Sequence, residues 1–216
     1  MSKVKICGIT THRDLATVID AGADAVGFVV DVPESPRNLS LGEAKALIDD
    51  TPIFIKTVAV TIPRSLDGLT KVYRRLRPDA LQIHGGCLSD ALIRRRLPNA
   101  RFIRAVKAKR GAVEAAVEAS KIFEAVIIDS FAPDREGGTG EAHDWELSRQ
   151  VRQAIYPTPL ILAGGLRPET VKEAIRIVQP YAVDVSSSVE LRPGIKDPKK
   201  TLDFIRSVRE AGRCEN

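Results

Sequence analysis

The chain has 216 residues, 44% of them hydrophobic and 28% charged, with 33 basic against 28 acidic side chains for a formal net charge of +5. That is enough apolar material for one continuous core, which excludes a staple-dependent mini-protein and an extensively disordered chain and leads us to expect one domain over 1–216. The mild basic excess suits phosphate-bearing or otherwise acidic partners, while 5% aromatic content without a stacking motif argues against nucleic acid.

Short β-branched apolar runs recur at residues 4–7, 24–30, 53–60, 79–85, 101–107, 124–129, 159–165 and 181–188, giving eight expected strands. Amphipathic stretches separate them. Ser40-x-x-Glu43 reads as a capping box, Ser65 and Ser89 can cap, and Pro168 with Glu169 suits a first helical turn. Strict alternation of strand and helix implies right-handed crossovers and a parallel sheet. Eight units of about 27 residues argue for closure, so the expected fold is α/β, a single compact (β/α)8 TIM barrel. The longest irregular segment, Ser130 to His143, follows the sixth strand, and such lengths usually mark a functional or mobile loop. Arg74-Arg75-Leu76-Arg77 and Arg94-Arg95-Arg96 fall within expected helices and read as solvated outer faces.

Cys7, Cys87 and Cys214 are odd in number and form no C-x-x-C pair, so neither a disulfide framework nor a structural zinc site is expected. The N-terminus lacks an apolar leader and no run approaches the ~18 apolar residues of a membrane span. A cytoplasmic protein without a membrane partner is expected.

In such a barrel the chemistry lies at the C-terminal ends of the strands. Those positions hold Cys7, Asp31, Thr61, His84, Lys107, Asp129, the Gly164-Gly165 pair and the Ser186-Ser187-Ser188 run. Glycine admits close approach of backbone amides to an anion and serine adds hydroxyl donors, so the two turns after the last two strands read as a phosphate site. Gly137-Gly138-Thr139-Gly140 is a third candidate turn. Cys7 and Asp129 end strands that converge on one mouth, where a thiol and a carboxyl suit proton removal and proton delivery. From position alone, however, Cys7 reads as a small buried hydrophobe, and Asp129 equally as a cap or an acid. Lys5 shares the face of Cys7 and either supports its ionisation or pairs with Asp184. Arg37, in Ser35-Pro36-Arg37-Asn38, can grip a carboxylate with two parallel hydrogen bonds. His84 is a polar wall or a structural histidine, and no metal-ligand spacing accompanies it.

Together these strings resemble one family. Lys5-Ile6-Cys7-Gly8-Ile9-Thr10, Ala21 to Phe28, Ser35-Pro36-Arg37, Leu81-Gln82-Ile83-His84-Gly85 and Ile128-Asp129-Ser130 stand in the order found in phosphoribosylanthranilate isomerases. So do Gly137 to Gly140 with Asp144-Trp145, Leu162 to Leu166, Asp184-Val185-Ser186-Ser187 and Gly194-Ile195-Lys196-Asp197. The resemblance covers residue 3 to about residue 205. It implies a cofactor-free and metal-free Amadori rearrangement of N-(5-phosphoribosyl)anthranilate in tryptophan biosynthesis. By the same resemblance Asp129 matches the general acid, Cys7 the general base, Arg37 the carboxylate-binding residue, and Gly138, Gly164, Gly165, Ser186, Ser187 and Ser188 the phosphate clamp. The roles require a neutral carboxyl and an ionised thiol, so the site is expected to raise one pKa and lower the other.

The chain departs from the family pattern at Ser188, where glycine is usual, and at Thr61, Gly86-Cys87 and His143. The resemblance carries an expectation of a free-standing isomerase whose partner is a small phosphorylated, carboxylate-bearing substrate, with no oligomer predicted. Two alternatives stand beside it: a sister isomerase of the histidine pathway, which would use two carboxylates and a duplicated half-barrel, and a non-catalytic binder of phosphorylated ligands.

Overall fold

The computed structural model describes residues 1–86, 88–129 and 144–212. In chain order these form β1 (Lys3–Cys7), α1 (His12–Asp20), β2 (Ala25–Val30), β3 (Asn38–Leu39), α2 (Leu41–Asp49) and β4 (Lys56–Thr61). There follow α3 (Leu66–Leu76), β5 (Ala80–Ile83), α4 (Asp90–Arg96), β6 (Phe102–Lys107), α5 (Ala112–Ser120) and β7 (Ala125–Asp129). The chain continues as α6 (Trp145–Ala154), β8 (Leu160–Leu162), α7 (Val171–Val178), β9 (Ala182–Val185), the antiparallel hairpin β10 (Glu190–Arg192) and β11 (Ile195–Lys196), and α8 (Pro198–Ala211). β1 pairs in parallel with both β2 and β9, which closes eight strands into the TIM barrel, while β3 adds two residues to the upper end of β2.

Strand alternation makes the closure possible by giving each strand two apolar environments. Cys7, Val58, Val60, Ile103, Ile127, Ile161, Ala163 and Ala182 fill the barrel interior. The intervening residues, among them Val4, Ile6, Val26, Phe28, Ile128 and Val183, join the larger core beneath the helices. Burying each such aliphatic side chain contributes roughly 1.5–3 kcal/mol, which is why the strand pattern dominates the fold.

A recurrent device closes the lower end of the barrel. The acid just before a strand accepts an amide from the first two residues of the preceding barrel strand: Asp24 from Val4 at 2.8 Å, Asp79 from Thr57 at 2.9 Å, Glu124 from Phe102 at 2.7 Å. Each acid also holds a cation, Lys3 and Arg209 on Asp24, Lys56 on Asp79 and Arg94 on Glu124. A strand-end amide that would lack a ladder partner is thereby satisfied.

The capping box at Ser40 and Glu43 forms, and Ser65 accepts from the Gly68 amide at 3.0 Å. Ser89 makes no such bond, and α7 begins at Val171 after a turn in which Thr170 accepts from the Arg167 amide. Several strands are shorter than the apolar runs, and for three the backbone shows why. Ile53 and Phe54 lie in a turn closed by Ile55 N to Pro52 O and are 87% and 91% exposed, so the strand starts only at Lys56. β8 stops before Gly164 and Gly165, whose positive φ of 83° and 66° cannot continue a strand. β9 stops at Val185, and Ser187–Val189 form a 3₁₀ turn.

Arg94 is no solvated face: it lies over the rings of Phe102 and Phe123 and donates to the carbonyls of Ala100 and Ile122. Among the described residues no helix is long and apolar enough to cross a membrane.

Candidate active site

Cys7 ends β1 with its side chain inside the barrel mouth, 8% exposed. The space it occupies is left by Gly27 on β2, its register partner. A Cβ there would lie 2.8 Å from Cys7 Sγ and 3.1 Å from Lys5 Nζ, so thiol and ammonium share one pocket. Lys5 is paired with Asp184 across the β1–β9 seam, Nζ to Oδ1 at 2.8 Å, because parallel register puts the two side chains on the same inward face. Both sequence alternatives for Lys5 are therefore realised at once.

Burial pushes the Cys7 thiol above its ordinary pKa, and Asp184 adds to the rise. Lys5 and Lys196 pull the other way without overcoming burial. The expected depression of the thiol is thus not met, since the desolvation of a nearly buried sulfur outweighs its cations. Lys5 itself stays protonated: burial opposes its charge, but attraction to Asp184 and Cys7 wins and raises its pKa. Asp184 is shifted upward by burial and by repulsion from Asp129.

Asp129 ends β7 in register with Lys107 of β6, and its charge acts on Asp184 of β9, two strands away. Asp184 thereby links the thiol of β1 electrostatically to the carboxyl of β7. His84, just past β5, is pushed down to about 4 by burial, with the Lys5 and Arg104 charges reinforcing it, so the ring is neutral at neutral pH. Its Nε2 lies 2.6 Å from the Gln82 side-chain amide nitrogen, so the two side chains are hydrogen-bonded to each other. Gln82 Oε1 is buried with no hydrogen-bond partner among the described residues.

Arg37 is held in a stiff loop. The Arg37 amide donates to Ser35 Oγ, and the Val32 amide donates to Asn38 Oδ1, closing residues 32–38 on themselves. The guanidinium makes a two-pronged pair with Glu190, Nε to Oε1 at 2.8 Å and Nη2 to Oε2 at 2.6 Å. Gly8, at φ 75°, is the hinge beneath it: a Cβ there would overlap Arg37 Cδ and sit 2.9 Å from Ser186 Oγ.

The two phosphate-candidate turns meet beside Arg37. Ser188 Oγ donates to Leu166 O at 2.5 Å, joining the serine turn to the glycine turn, and Ser186 Oγ donates to the Cys7 carbonyl at 3.0 Å. The Ser188 hydroxyl is thus spent inside the protein. Ser187 and Gly165 face solvent, Gly164 is half-buried, and the first amides of a 3₁₀ turn have no partner within it. Gly138, with Ser130 to His143, lies outside the described residues, as do Cys87 and Cys214.

Two residues of this site carried no role in the sequence reading, Glu190 and Lys196. Lys196 Nζ reaches Glu190 Oε1 at 2.8 Å and Ser186 O at 3.2 Å with its side chain fully buried. They flank the β10–β11 hairpin, outside the strand ends to which the barrel rule directs a search. The signals available were the place of Lys196 in the Gly194-Ile195-Lys196-Asp197 string and two charged residues in short β-like runs, which alternation alone does not turn inward. Among the described residues no cluster of potential metal ligands is found.

A family profile for N-(5'-phosphoribosyl)anthranilate (PRA) isomerase matches residues 4–207. The N-(5'-phosphoribosyl)anthranilate isomerase of Methanothrix thermoacetophila is 44% identical over 211 residues, covering 97% of this chain and 99% of that one. The crystal structure of phosphoribosyl anthranilate isomerase from Thermotoga maritima superposes with a TM-score of 0.87 at 35% identity, covering 97% and 100%. A phosphoribosyl anthranilate isomerase crystallised with reduced 1-(o-carboxyphenylamino)-1-deoxyribulose 5-phosphate gives 0.83 at 33% identity, again over 97% and 100%.

Proposed function

Because the chain belongs to the N-(5'-phosphoribosyl)anthranilate isomerase family and is a phosphoribosylanthranilate isomerase of tryptophan biosynthesis, we propose that Cys7 and Asp129 are its base and acid. Asp129 protonates the furanose ring oxygen, so the C1–O bond breaks and the anomeric nitrogen supplies the electron pair of a Schiff base. Cys7 then takes the proton from C2, the electrons pass to nitrogen, and the enolamine tautomerises to 1-(2-carboxyphenylamino)-1-deoxyribulose 5-phosphate. C2 is oxidised and C1 reduced within one molecule. The reaction consequently needs no external electron acceptor, and the reading calls for no cofactor or metal.

The observation that carries this reading is the thiol at the mouth with Lys5 beside it and Asp184 relaying its surroundings to Asp129. A thiol with a raised pKa is a strong base once ionised, and Lys5 favours that ionised form. Asp129 enters the reaction as the neutral acid in this reading. Arg37 binds the anthranilate carboxylate through Nη1, the edge it does not commit to Glu190. Gly164, Gly165, Ser186, Ser187 and Ser188, with Gly138, receive the phosphate, chiefly through backbone amides and the Ser187 hydroxyl. We assign the protein to the cytoplasm, where its thiols stay reduced.

The test supplies fluorescent phosphoribosylanthranilate and follows its disappearance. Cys7→Ala and Asp129→Ala should each lower turnover about a hundred-fold or more while still binding the reduced product analogue. Either variant turning over at the parent rate would remove that residue from the mechanism.

A further inference from the structure

Glu190 and Lys196 form an ion pair with side chains 4% and 0% exposed, two residues that nothing in the chemistry above requires. Such a pair is poor evidence of stability, because desolvating both charges costs about as much as their attraction returns. The hairpin backbone is in any case held without it: the Lys196 amide donates to Asp14 Oδ1 at 2.9 Å, and Lys200 donates to the Glu190 carbonyl at 2.9 Å. What the side chains do specify is geometry. Glu190 Oε1 receives both Lys196 Nζ and Arg37 Nε, and Oε2 receives Arg37 Nη2, so the guanidinium plane is fixed against a carboxylate that is itself fixed from behind. The same ammonium donates to the Ser186 carbonyl, whose residue in turn holds the Cys7 carbonyl.

We propose that Glu190 and Lys196 are positioning residues for both ends of the substrate: Glu190 orients Arg37 toward the carboxylate, and Lys196 braces Glu190 while tethering the serine turn that receives the phosphate. This role presupposes the binding assignments of Arg37 and the serine turn made above. Two cations on one carboxylate also leave a net positive charge where an anionic ligand binds. Glutamine at 190 would present an amide N–H to Arg37 or Lys196, donor against donor, and release the guanidinium.

The experiment measures KM and kcat for phosphoribosylanthranilate with the full chain and with Glu190→Gln, Arg37→Ala and the double variant. Glu190→Gln should raise KM about ten-fold, the scale of one charge-assisted hydrogen bond, with a much smaller change in kcat. In the double variant KM should equal that of Arg37→Ala, because a residue that acts through Arg37 has nothing left to position. Multiplying KM effects, or a parent KM in Glu190→Gln beside a raised KM in Arg37→Ala, would overturn the role of Glu190. A parent KM in Arg37→Ala would instead remove the carboxylate assignment beneath it. Lys196→Met keeps the neutral Arg37–Glu190 pair and serves where Glu190→Gln lacks a cooperative thermal transition. It should weaken competitive inhibition by inorganic phosphate several-fold, whereas Arg37→Ala should not; unchanged inhibition in Lys196→Met would overturn the tether.

Discussion

Replacing Lys5 by methionine isolates the electrostatic support of the thiol. Cys7 Sγ and Lys5 Nζ lie within 2.8 and 3.1 Å of one point, the Cβ position of Gly27. They are thus no more than about 6 Å apart, and at an effective dielectric of ~20 their attraction at that distance is about 3 kcal/mol, a factor of about a hundred in favour of the ionised thiol. Part of that is offset, because removing Lys5 also removes the cation that favours the Asp184 carboxylate, whose charge opposes ionisation of the thiol. Lys5→Met should therefore push the thiol pKa further up and lower kcat/KM at pH 7 by about ten- to a hundred-fold, with the deficit closing as pH rises. The assay is the initial rate of substrate fluorescence loss from pH 6 to 10, paired with the alkylation rate of the Cys7 peptide read by mass spectrometry. If both alkaline midpoints stay at their parent values in Lys5→Met, Lys5 does not support the thiolate.

Two further outcomes follow from the fold. Asp79→Asn removes a carboxylate that burial alone would shift upward but that bonds from Lys56 and Thr57 hold below its ordinary value of 3.8. A depressed carboxylate stabilises the protein above its unfolded pKa and loses that contribution as pH falls through its folded one. The variant should thus melt about 3 °C or more below the parent at pH 7, the gap should shrink below about pH 4, and turnover should be untouched, since the residue lies at the opposite end of the barrel. A pH-independent gap in the thermal midpoint would show that the charge is irrelevant. Gly8→Ala forces a side chain onto positive φ and into Arg37 Cδ. It should raise KM about ten-fold or more through the displaced guanidinium, and a parent KM in a folded variant would refute that account.

Much of the fold was legible because burial on two sides leaves a mark in sequence: each barrel strand alternates between inner and outer core, and both faces are apolar. Where the pattern misled, backbone chemistry overrode hydrophobicity. Ile53 and Phe54 continue an apolar run, yet Pro52 sets a turn there; Gly164, Gly165 and the serines extend β-like runs past the point where the chain must bend around an anion site. Cys7, Asp129, Arg37 and the two turns were legible as candidates because they stand at or beyond strand ends, where the barrel directs side chains to one mouth; position alone left Cys7 and Asp129 ambiguous, and their roles came from the family resemblance.

The alternation of elements, the closure of the barrel and the candidates at its mouth are thus determined by the sequence itself, through periodicity and strand-end position. Tertiary structure alone decided how those groups act on one another. That Lys5 serves Asp184 and Cys7 together depends on the β1–β9 register and on the missing side chain of Gly27. That the thiol is pushed up rather than down depends on how completely it is desolvated. That Glu190, braced by Lys196, turns inward to grip Arg37, 153 residues away in sequence, depends on where a hairpin outside the strand pattern comes to rest. Charge interactions depend on distance and burial, and neither is written in the order of residues along the chain.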